Sequence, residues 1–329
     1  MRILTSEDVR RALPMREVIE SMKGAYASLS NGKAEVPLRT RLSVPPQEAV
    51  SLFMPAYVHS PQGDALAVKV VSLFPRNPER GLAYLQAAVL VLEADTGRPA
   101  ALLEGSMLTA IRTGAGSGAA IDLLARPDSA VVAIFGAGAQ GRTQLEAACS
   151  VREIEQAWVF DSSQEKARDF VRELAGIQPI PANLQIAATT QQALAQADII
   201  CTATTSNNPV FEDIDLKPGA HISAVGSYTP EMQEVPTKTV ARAYVVVDSR
   251  SAVLAETGDL LQPIEAGIFG QGHIKAELGE IVLGRKLGRQ SPEQITYFKS
   301  VGVAVQDAVA AQLAMQNAQN QGLGIEVEF

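Results

Sequence analysis

Hydrophobic and polar positions follow three successive patterns along this chain. In the first thirty residues, apolar side chains recur at helical spacing, which predicts a helical start with Thr5 or Ser6 as the N-terminal cap. Successive extended, strand-like runs come next, and they predict a largely antiparallel sheet. These extended runs are 39–44, 50–58, 66–74 and 84–93, with a turn at 61–64.

The third pattern begins at residue 131, where short apolar runs alternate with helical segments. It is typical of a Rossmann-type, doubly wound parallel sheet, so the fold class is α/β with a second, mixed α+β domain. A helix is predicted at 107–124 and another at 295–318, the latter too long for the last crossover and expected to return to the N-terminal domain. The predicted domains are 1–119 with 300–329, and 120–299.

A glycine motif opens the parallel-sheet pattern. The apolar run from Val131 leads into Gly136, Gly138 and Gly141 in the spacing G-x-G-x-x-G and then into a helical segment. Such a strand, turn and helix bind a pyrophosphate, because the glycines allow a close backbone approach and the helix presents free N–H groups. Asp161 ends the next strand, where a carboxylate accepts hydrogen bonds from a ribose. The alternative is a glycine-rich turn without a ligand.

Composition narrows the class of protein. A net charge of −8 argues against binding to nucleic acid or to an anionic membrane. His59, His221 and His273 lie far apart, so no metal site is expected, and Cys149 and Cys201 are expected to be buried thiols. Because no apolar run reaches the ~18 residues of a membrane span and the N-terminus lacks the core of a signal peptide, the expected location is the cytoplasm.

Three cations stand in unusual surroundings. Lys69 lies within an almost wholly apolar strand, so it is either a buried functional lysine or an edge-strand lysine that faces water. Arg112 has small neighbours that leave room for a ligand, although a helix-surface arginine is an equal alternative. Arg39 and Arg41 share one strand face, which without further information is more simply a solvated face.

Eight short motifs occur in order along the chain: PLRT at 37–40, FMPA at 53–56, KVV at 69–71, NPERGL at 77–82, LTAIRT at 108–113, GAGAQ at 136–140, VDS at 247–249 and AELGEI at 276–281. Together they resemble the ornithine cyclodeaminase/mu-crystallin family over essentially the whole chain. The resemblance implies a homodimer whose N-terminal sheet domain, completed by the C-terminal helix, supplies dimerisation and substrate contacts. The Rossmann domain would hold NADH or NADPH.

The resemblance also implies residue roles. Arg39 and Arg112 would bind the substrate carboxylate and Lys69 would lie beside the reacting carbon and nitrogen, with Met54 and Tyr228 as further substrate contacts. The implied nucleotide contacts are Thr113, Gly136, Gly138, Ala139, Gln140, Gly141, Asp161, Thr202, Val225 and Ser300.

One departure from the family pattern bears on the reaction. Cyclodeaminases of the family carry an Asp in the loop after the fourth Rossmann strand, where this chain has Tyr228, more simply a packing aromatic than a proton donor. The loop resembles that of the imine reductases of the family, which implies NAD(P)H-dependent reduction of 1-pyrroline-2-carboxylate to L-proline and of its piperideine homologue to L-pipecolate. Ornithine cyclodeaminase, alanine dehydrogenase and a non-enzymatic binding protein remain alternatives. Asp161 favours NADH over NADPH.

Overall fold

The computed structural model describes residues 1–60 and 63–328. These residues form two compact units. The first unit comprises Met1–Arg112 and the segment from Val303 to the C-terminal end, and the second comprises Thr113–Gly302. The predicted boundaries, after residues 119 and 299, lie seven residues after and three residues before these limits, and the predicted domain division and its roles stay predictions. Within the described residues, none of the helices combines the length and apolar character needed to cross a membrane.

The strands and helices are named here in chain order. The strands are β1 (Arg2–Leu4), β2 (Ala34–Glu35), β3 (Thr40–Val44), β4 (Ala49–Val58), β5 (Ala65–Leu73), β6 (Leu85–Leu92), β7 (Pro99–Glu104), β8 (Val131–Phe135), β9 (Gln156–Phe160), β10 (Leu184–Ile186), β11 (Ile199–Thr202), β12 (His221–Ala224), β13 (Tyr244–Val247), β14 (Ile274–Glu277), β15 (Thr296–Lys299) and β16 (Ile325–Glu326). The α-helices are α1 (Ser6–Ala12), α2 (Met15–Ser30), α3 (Gly105–Leu124), α4 (Ala139–Val151), α5 (Gln164–Leu174), α6 (Thr190–Leu194), α7 (Thr237–Arg242), α8 (Arg250–Glu256), α9 (Gly258–Glu265), α10 (Leu278–Val282) and α11 (Ala304–Gln321).

The first unit is a sheet in the order β16-β1-β7-β6-β5-β4-β2, with β3 also paired to β4. Its pairings are antiparallel except for β1 with β7, so the largely antiparallel prediction is confirmed. Helix α11 packs on β4, β5 and α2. Alternate residues of β5, from Ala65 to Val71, are buried while those between them are half-buried, as expected for a sheet with one covered face.

The N-terminal prediction is confirmed at its cap and wrong in its extent. Thr5 caps α1, since its hydroxyl accepts from the Asp8 N–H at 3.3 Å and the Asp8 carboxylate accepts from the Thr5 N–H at 3.0 Å. Arg2–Leu4 instead forms β1, and Pro14 separates α1 from α2. Of the predicted turn at 61–64, Pro61 and Gln62 lie outside the described residues.

The second unit is a parallel sheet in the order β10-β9-β8-β11-β12-β15-β13-β14. Buried apolar residues pack on both of its faces, one cluster around Phe135 and Tyr297 and another around Leu145 and Phe170. This is the predicted Rossmann-type arrangement. The strand order reverses between β8 and β11, and a crevice for a ligand forms at the carboxyl ends of strands at such a point.

The predicted helix at 295–318 was wrong at its start. Thr296–Lys299 forms β15, which pairs in parallel with β12 and β13 and is wholly buried. Its β-branched and aromatic residues suit a central strand, and Gly302, with a φ of 79°, ends the extended segment before α11 begins. The prediction that the C-terminal helix returns to the N-terminal domain is confirmed, since α11 belongs to the first unit.

Candidate active site

Lys69 lies in the middle of β5, on the sheet face that α11 covers. Because β5 is bordered by β4 and β6, Lys69 is directly opposite Met54 on one side and Val89 on the other. Only 2% of Lys69 is exposed. The edge-strand alternative is therefore wrong: both neighbouring strands are present, and the side chain is enclosed rather than solvated.

The Lys69 ammonium binds a carboxylate of α11. Its Nζ lies 2.7 Å from Oδ2 of Asp307, and Oδ1 of the same carboxylate accepts from Nε of Arg112 at 2.9 Å. Burial lowers the pKa of Lys69 to about 8; Asp307 opposes this shift, and Arg112 and Arg39 add to it. A lysine with such a pKa holds its proton at pH 7 and gives it up readily, as a general acid must.

Arg112 projects from α3 into contacts with α11. Besides its bond to Asp307, it donates from Nη1 to Oε1 of Gln306 at 3.2 Å, and Gln306 in turn donates to the Tyr26 hydroxyl at 2.7 Å. Nη2 has no hydrogen-bond partner among the described residues. The helix-surface alternative is wrong, because Arg112 is only 5% exposed and its guanidinium is fixed by two bonds that leave one nitrogen for a ligand.

Two further predicted substrate contacts lie close by. Met54 is buried directly opposite Lys69. Arg39 immediately precedes β3, is half-buried, and is near enough to lower the pKa of Lys69. The structure thus brings Lys69, Arg112, Arg39 and Met54 together in the first unit, while their roles stay predictions.

The charges of this cluster favour an anionic ligand. Lys69 and Arg112 supply two cations, and Asp307 is the one carboxylate shown to contact either of them in the described part of the chain. Burial alone would raise the pKa of Asp307, but Arg112 and Lys69 hold it below its ordinary value. Asp307 is therefore a permanent anion that leaves positive charge in excess, which suits a substrate carboxylate.

Asp307 and Gln306 were missed from the sequence. They lie more than 190 residues from Arg112 along the chain, and no spacing rule links such distant positions. One signal was available, since Asp307 is the sole charged residue of α11. A single acid in an otherwise uncharged helix is seldom buried without a partner.

In the second unit, the glycine motif forms the predicted turn after β8. Gly136 has a φ of 100°, a left-handed conformation that favours glycine. A Cβ at Gly141 would overlap the carbonyl oxygen of Gly136, so this glycine allows α4 to pack against the turn. A Cβ at Gly138 would meet nothing within 4 Å. Gly138 is therefore required neither by its backbone conformation nor by packing, and the open space beside it suits a ligand.

The same end of the sheet offers hydrogen-bonding groups for a nucleotide. Gly138 is the N-cap of α4, and among the described residues no side chain caps this helix, so its first N–H groups face outward beside Ala139. Thr202 Oγ1, at the end of β11, and Gln140 Oε1 are buried without a partner among the described residues. Unpaired buried oxygens at a strand reversal fit a bound dinucleotide.

Asp161 follows β9 beside this turn. Its carboxylate accepts from the Ala137 N–H and the Ser163 N–H, both at 2.8 Å, which fixes it next to the glycine motif. Lys166 and Arg168, the cations nearest in sequence, are both exposed. The negative charge is thus held in place while the positive charges are solvated.

Thr113, Val225 and Ser300, the remaining predicted nucleotide contacts, differ in their burial and in their hydrogen bonds within the protein. Thr113 is buried, and its carbonyl accepts from the Gln144 amide at 3.4 Å. Val225 is half-buried just after β12, where its N–H donates to the Thr202 carbonyl at 2.9 Å. The Ser300 hydroxyl donates to the buried Asp248 carboxylate at 2.7 Å, so this serine already has a structural role. A nucleotide role for each stays a prediction.

A buried carboxylate fixes the loop that carries Tyr228. Glu234 accepts from the N–H and hydroxyl of Thr204 at 2.6 and 2.9 Å, and from the N–H groups of Gly226 and Ser227 at 2.6 and 3.1 Å. Burial raises the pKa of Glu234, with Lys299 opposing the shift. Tyr228 is half-buried and belongs to the second unit, unlike the other predicted substrate contacts.

Comparison with known proteins agrees with the architecture. A Δ1-pyrroline-2-carboxylate reductase from Bacillus cereus is 39% identical over the full length of both chains, and an alanine dehydrogenase from Archaeoglobus fulgidus is 31% identical over 99% of this chain and 98% of its own. The structure of the Thermococcus litoralis Δ1-pyrroline-2-carboxylate reductase in complex with NADH and L-proline covers 99% of this chain and 100% of its own, with 43% identity and a TM-score of 0.94. The model of the ornithine cyclodeaminase/mu-crystallin family matches residues 1–322, and the chain belongs to that family.

Proposed function

We propose that this protein is an NAD(P)H-dependent reductase of cyclic 2-imino acids, which converts 1-pyrroline-2-carboxylate to L-proline and the piperideine homologue to L-pipecolate. The Bacillus cereus and Thermococcus litoralis relatives support this substrate class by name, and the latter was solved with NADH and L-proline. The observation that carries the proposal is the buried cluster of Lys69, Arg112 and Asp307, which combines a proton donor with excess positive charge.

The same geometry disfavours hydrolysis. A cyclodeaminase needs a carboxylate that activates water, but Asp307 is bound by two cations that lower its pKa. Glu234, a buried carboxylate that contacts the Tyr228 loop, accepts four hydrogen bonds that occupy both of its oxygens. Neither group is suited to remove a proton from water.

Each unit contributes a separate part of the proposed reaction. The Arg112 guanidinium, through Nη2, and Arg39 would bind the substrate carboxylate and so orient the imine carbon. Lys69 would donate its proton to the imine nitrogen, which makes the adjacent carbon electrophilic. The Gly136–Gly141 turn, Thr202 and Asp161 would hold the nucleotide, whose nicotinamide supplies the hydride when bound. One hydride at carbon and one proton at nitrogen complete the amine.

A substrate panel tests the proposal. The purified protein is given 1-pyrroline-2-carboxylate, 1-piperideine-2-carboxylate, L-ornithine, or pyruvate with ammonia, and oxidation of NADH or NADPH is followed by absorbance. We expect turnover with the cyclic imino acids. Ammonia release from ornithine without net cofactor change would indicate a cyclodeaminase, turnover with pyruvate and ammonia alone an alanine dehydrogenase, and binding without turnover a non-enzymatic role.

We also infer that the protein acts as a homodimer. The face of the first unit's sheet opposite α11 presents rows of half-buried apolar side chains, including Leu66, Val68 and Val70 of β5 and Leu90 of β6. A contiguous apolar face of this kind is typical of a subunit interface, and a second copy of the chain offers the complementary surface. Sedimentation equilibrium measures the mass directly, and a monomer at micromolar concentration would contradict the inference.

The second and third glycines of the motif are expected to respond differently to alanine. Gly138→Ala should leave the melting temperature near native and weaken NADH binding about tenfold, because the methyl group enters the open space beside α4 at an overpacking cost of ~1–3 kcal/mol. Gly141→Ala, the matched control, should instead lower the melting temperature, because its methyl group overlaps the Gly136 carbonyl. NADH fluorescence titration and thermal unfolding measure the two effects. Native NADH affinity in Gly138→Ala would show that no nucleotide passes Gly138.

Cofactor preference is expected to depend on Asp161. The fixed carboxylate should repel the 2′-phosphate of NADPH, and Lys166 and Arg168 are too exposed to offset it, so NADH should be preferred by ~1–2 kcal/mol. Asp161→Ser should shift the ratio of kcat/KM values toward NADPH about tenfold, an effect of the same size. Asp169→Asn, which removes a charge elsewhere on α5, is the control and should leave the ratio unchanged. A native preference for NADPH would mean that Asp161 does not face the ribose.

A further inference from the structure

A single carboxylate organises the cationic cluster of the first unit. Asp307 is 1% exposed, and each of its two oxygens binds a different cation, Lys69 at 2.7 Å and Arg112 at 2.9 Å. The three side chains come from three elements, β5, α3 and α11. Asp307 is thus the one group that contacts both cations.

This arrangement restricts the directions of both cations. Nε and Nη1 of Arg112 bind Asp307 and Gln306 of α11, which fixes the plane of the guanidinium and leaves Nη2 without a bond to either residue. Lys69 has a flexible four-carbon stem, so without a partner its ammonium would sample several positions. Binding to one carboxylate holds the two donors at a fixed spacing, as orientation of a small substrate requires.

Asp307 also decides the charge balance around Lys69. The charged groups with the largest influence on Lys69 are Asp307 from α11, Arg112 from α3 and Arg39 before β3, and the strands on either side contribute apolar Met54 and Val89. Burial and both arginines favour the neutral amine, and among these groups Asp307 alone favours the ammonium. Without Asp307, burial and the two arginines would act together to remove the proton from Lys69.

We propose that Asp307 is a positioning residue of the imine reduction, which aligns Lys69 with Arg112 and keeps the transferable proton on Lys69. This inference rests on the proposed function, since it assigns Lys69 as the proton donor. It predicts that Asp307 acts on the pH dependence of the reaction, whereas a purely structural carboxylate would affect only stability and substrate affinity.

The test compares pH profiles of kcat/KM for 1-pyrroline-2-carboxylate in the full-length native protein and in Asp307→Asn. In the native protein, kcat/KM should fall as the pH rises through about 8, where Lys69 loses its proton. Removal of the anion lowers the pKa of Lys69, so the alkaline limb should move to lower pH by about one unit or more. Titration of the free substrate is common to both proteins, so the difference between the profiles reports on the enzyme.

Gln306→Leu is the matched control, because Gln306 contacts Arg112 from the next position of α11 but carries no charge. We expect it to raise KM without moving the alkaline limb. Asp307→Ser is a second neutral variant, and circular dichroism and NADH binding check that each variant folds. The inference is overturned if a folded neutral variant shows the alkaline limb of its kcat/KM profile at the same pH as the native protein. It is also overturned if neither neutral variant folds. Absence of imine turnover in the native protein would instead overturn the proposed function.

Discussion

Lys69→Met is expected to lower kcat for imine reduction by about 10²-fold or more, the usual contribution of a positioned general acid. Methionine is close to lysine in length and volume and suits the buried position beside Met54. Asp307 keeps its bond to Arg112 in the variant, so no buried carboxylate is left without a cation. The protein should therefore fold and bind NADH normally. Steady-state kinetics measures the loss of kcat, and a separate NADH titration measures the unchanged affinity for the cofactor.

Lys33→Met is the matched control for this substitution. Lys33 lies in the same unit but is exposed, so its loss should leave kcat and NADH affinity near native. Near-native turnover in Lys69→Met would show that the buried lysine only stabilises the fold. Loss of NADH binding together with turnover would point to a general disruption of the protein rather than to a missing proton donor.

Local pattern predicted the parts of the molecule that depend on neighbouring residues. The turn from Gly136 to Gly141 could be read from the sequence because its strand, glycines and helix are contiguous, and Thr5 could be identified as a cap because its partner is three residues away. β15 was mistaken for helix because a segment of four residues is too short to distinguish a buried strand from a helix by its pattern.

The features of the site that could not be predicted from the sequence depend on contacts between distant segments of the chain. Lys69 could be recognised as unusual, but whether it was buried or at a sheet edge depended on β4 and β6 lying on both sides of β5. Asp307 has meaning only once α11 is placed on that sheet, and the 195 residues between it and Arg112 carry no pattern that links them. Sequence therefore predicted the cations of the cluster and missed the anion that arranges them.

Charge balance distinguishes this cluster from the other buried ionic cluster of the chain. In the second unit, Lys299 lies 3.1 Å from Asp259 and opposes the rise that burial causes in the pKa of Glu234, so two carboxylates lie near one cation. Backbone N–H groups satisfy those carboxylates, including those of Glu234 and Val235 on Asp259 and of Gly226 on Glu234. In that cluster the negative charge exceeds the positive charge, and backbone N–H groups fix the carboxylates within loops. In the Lys69 cluster the positive charge exceeds the negative charge, which suits the proposed anionic substrate.

Arg112→Lys is expected to raise KM for the imino acid about 10- to 100-fold, with NADH affinity unchanged and kcat less affected. The guanidinium bonds to Asp307 and Gln306 through two nitrogens and leaves Nη2 for the proposed contact with the substrate, and a lysine ammonium cannot reproduce these three directions. The expected loss corresponds to about one charge-assisted hydrogen bond, ~1.5–3 kcal/mol. Arg41→Lys, an exposed arginine of β3, is the matched control and should keep the native KM. If Arg112→Lys kept the native KM as well, the carboxylate would have to bind elsewhere, and the unused nitrogen of Arg112 would have no part in the reaction.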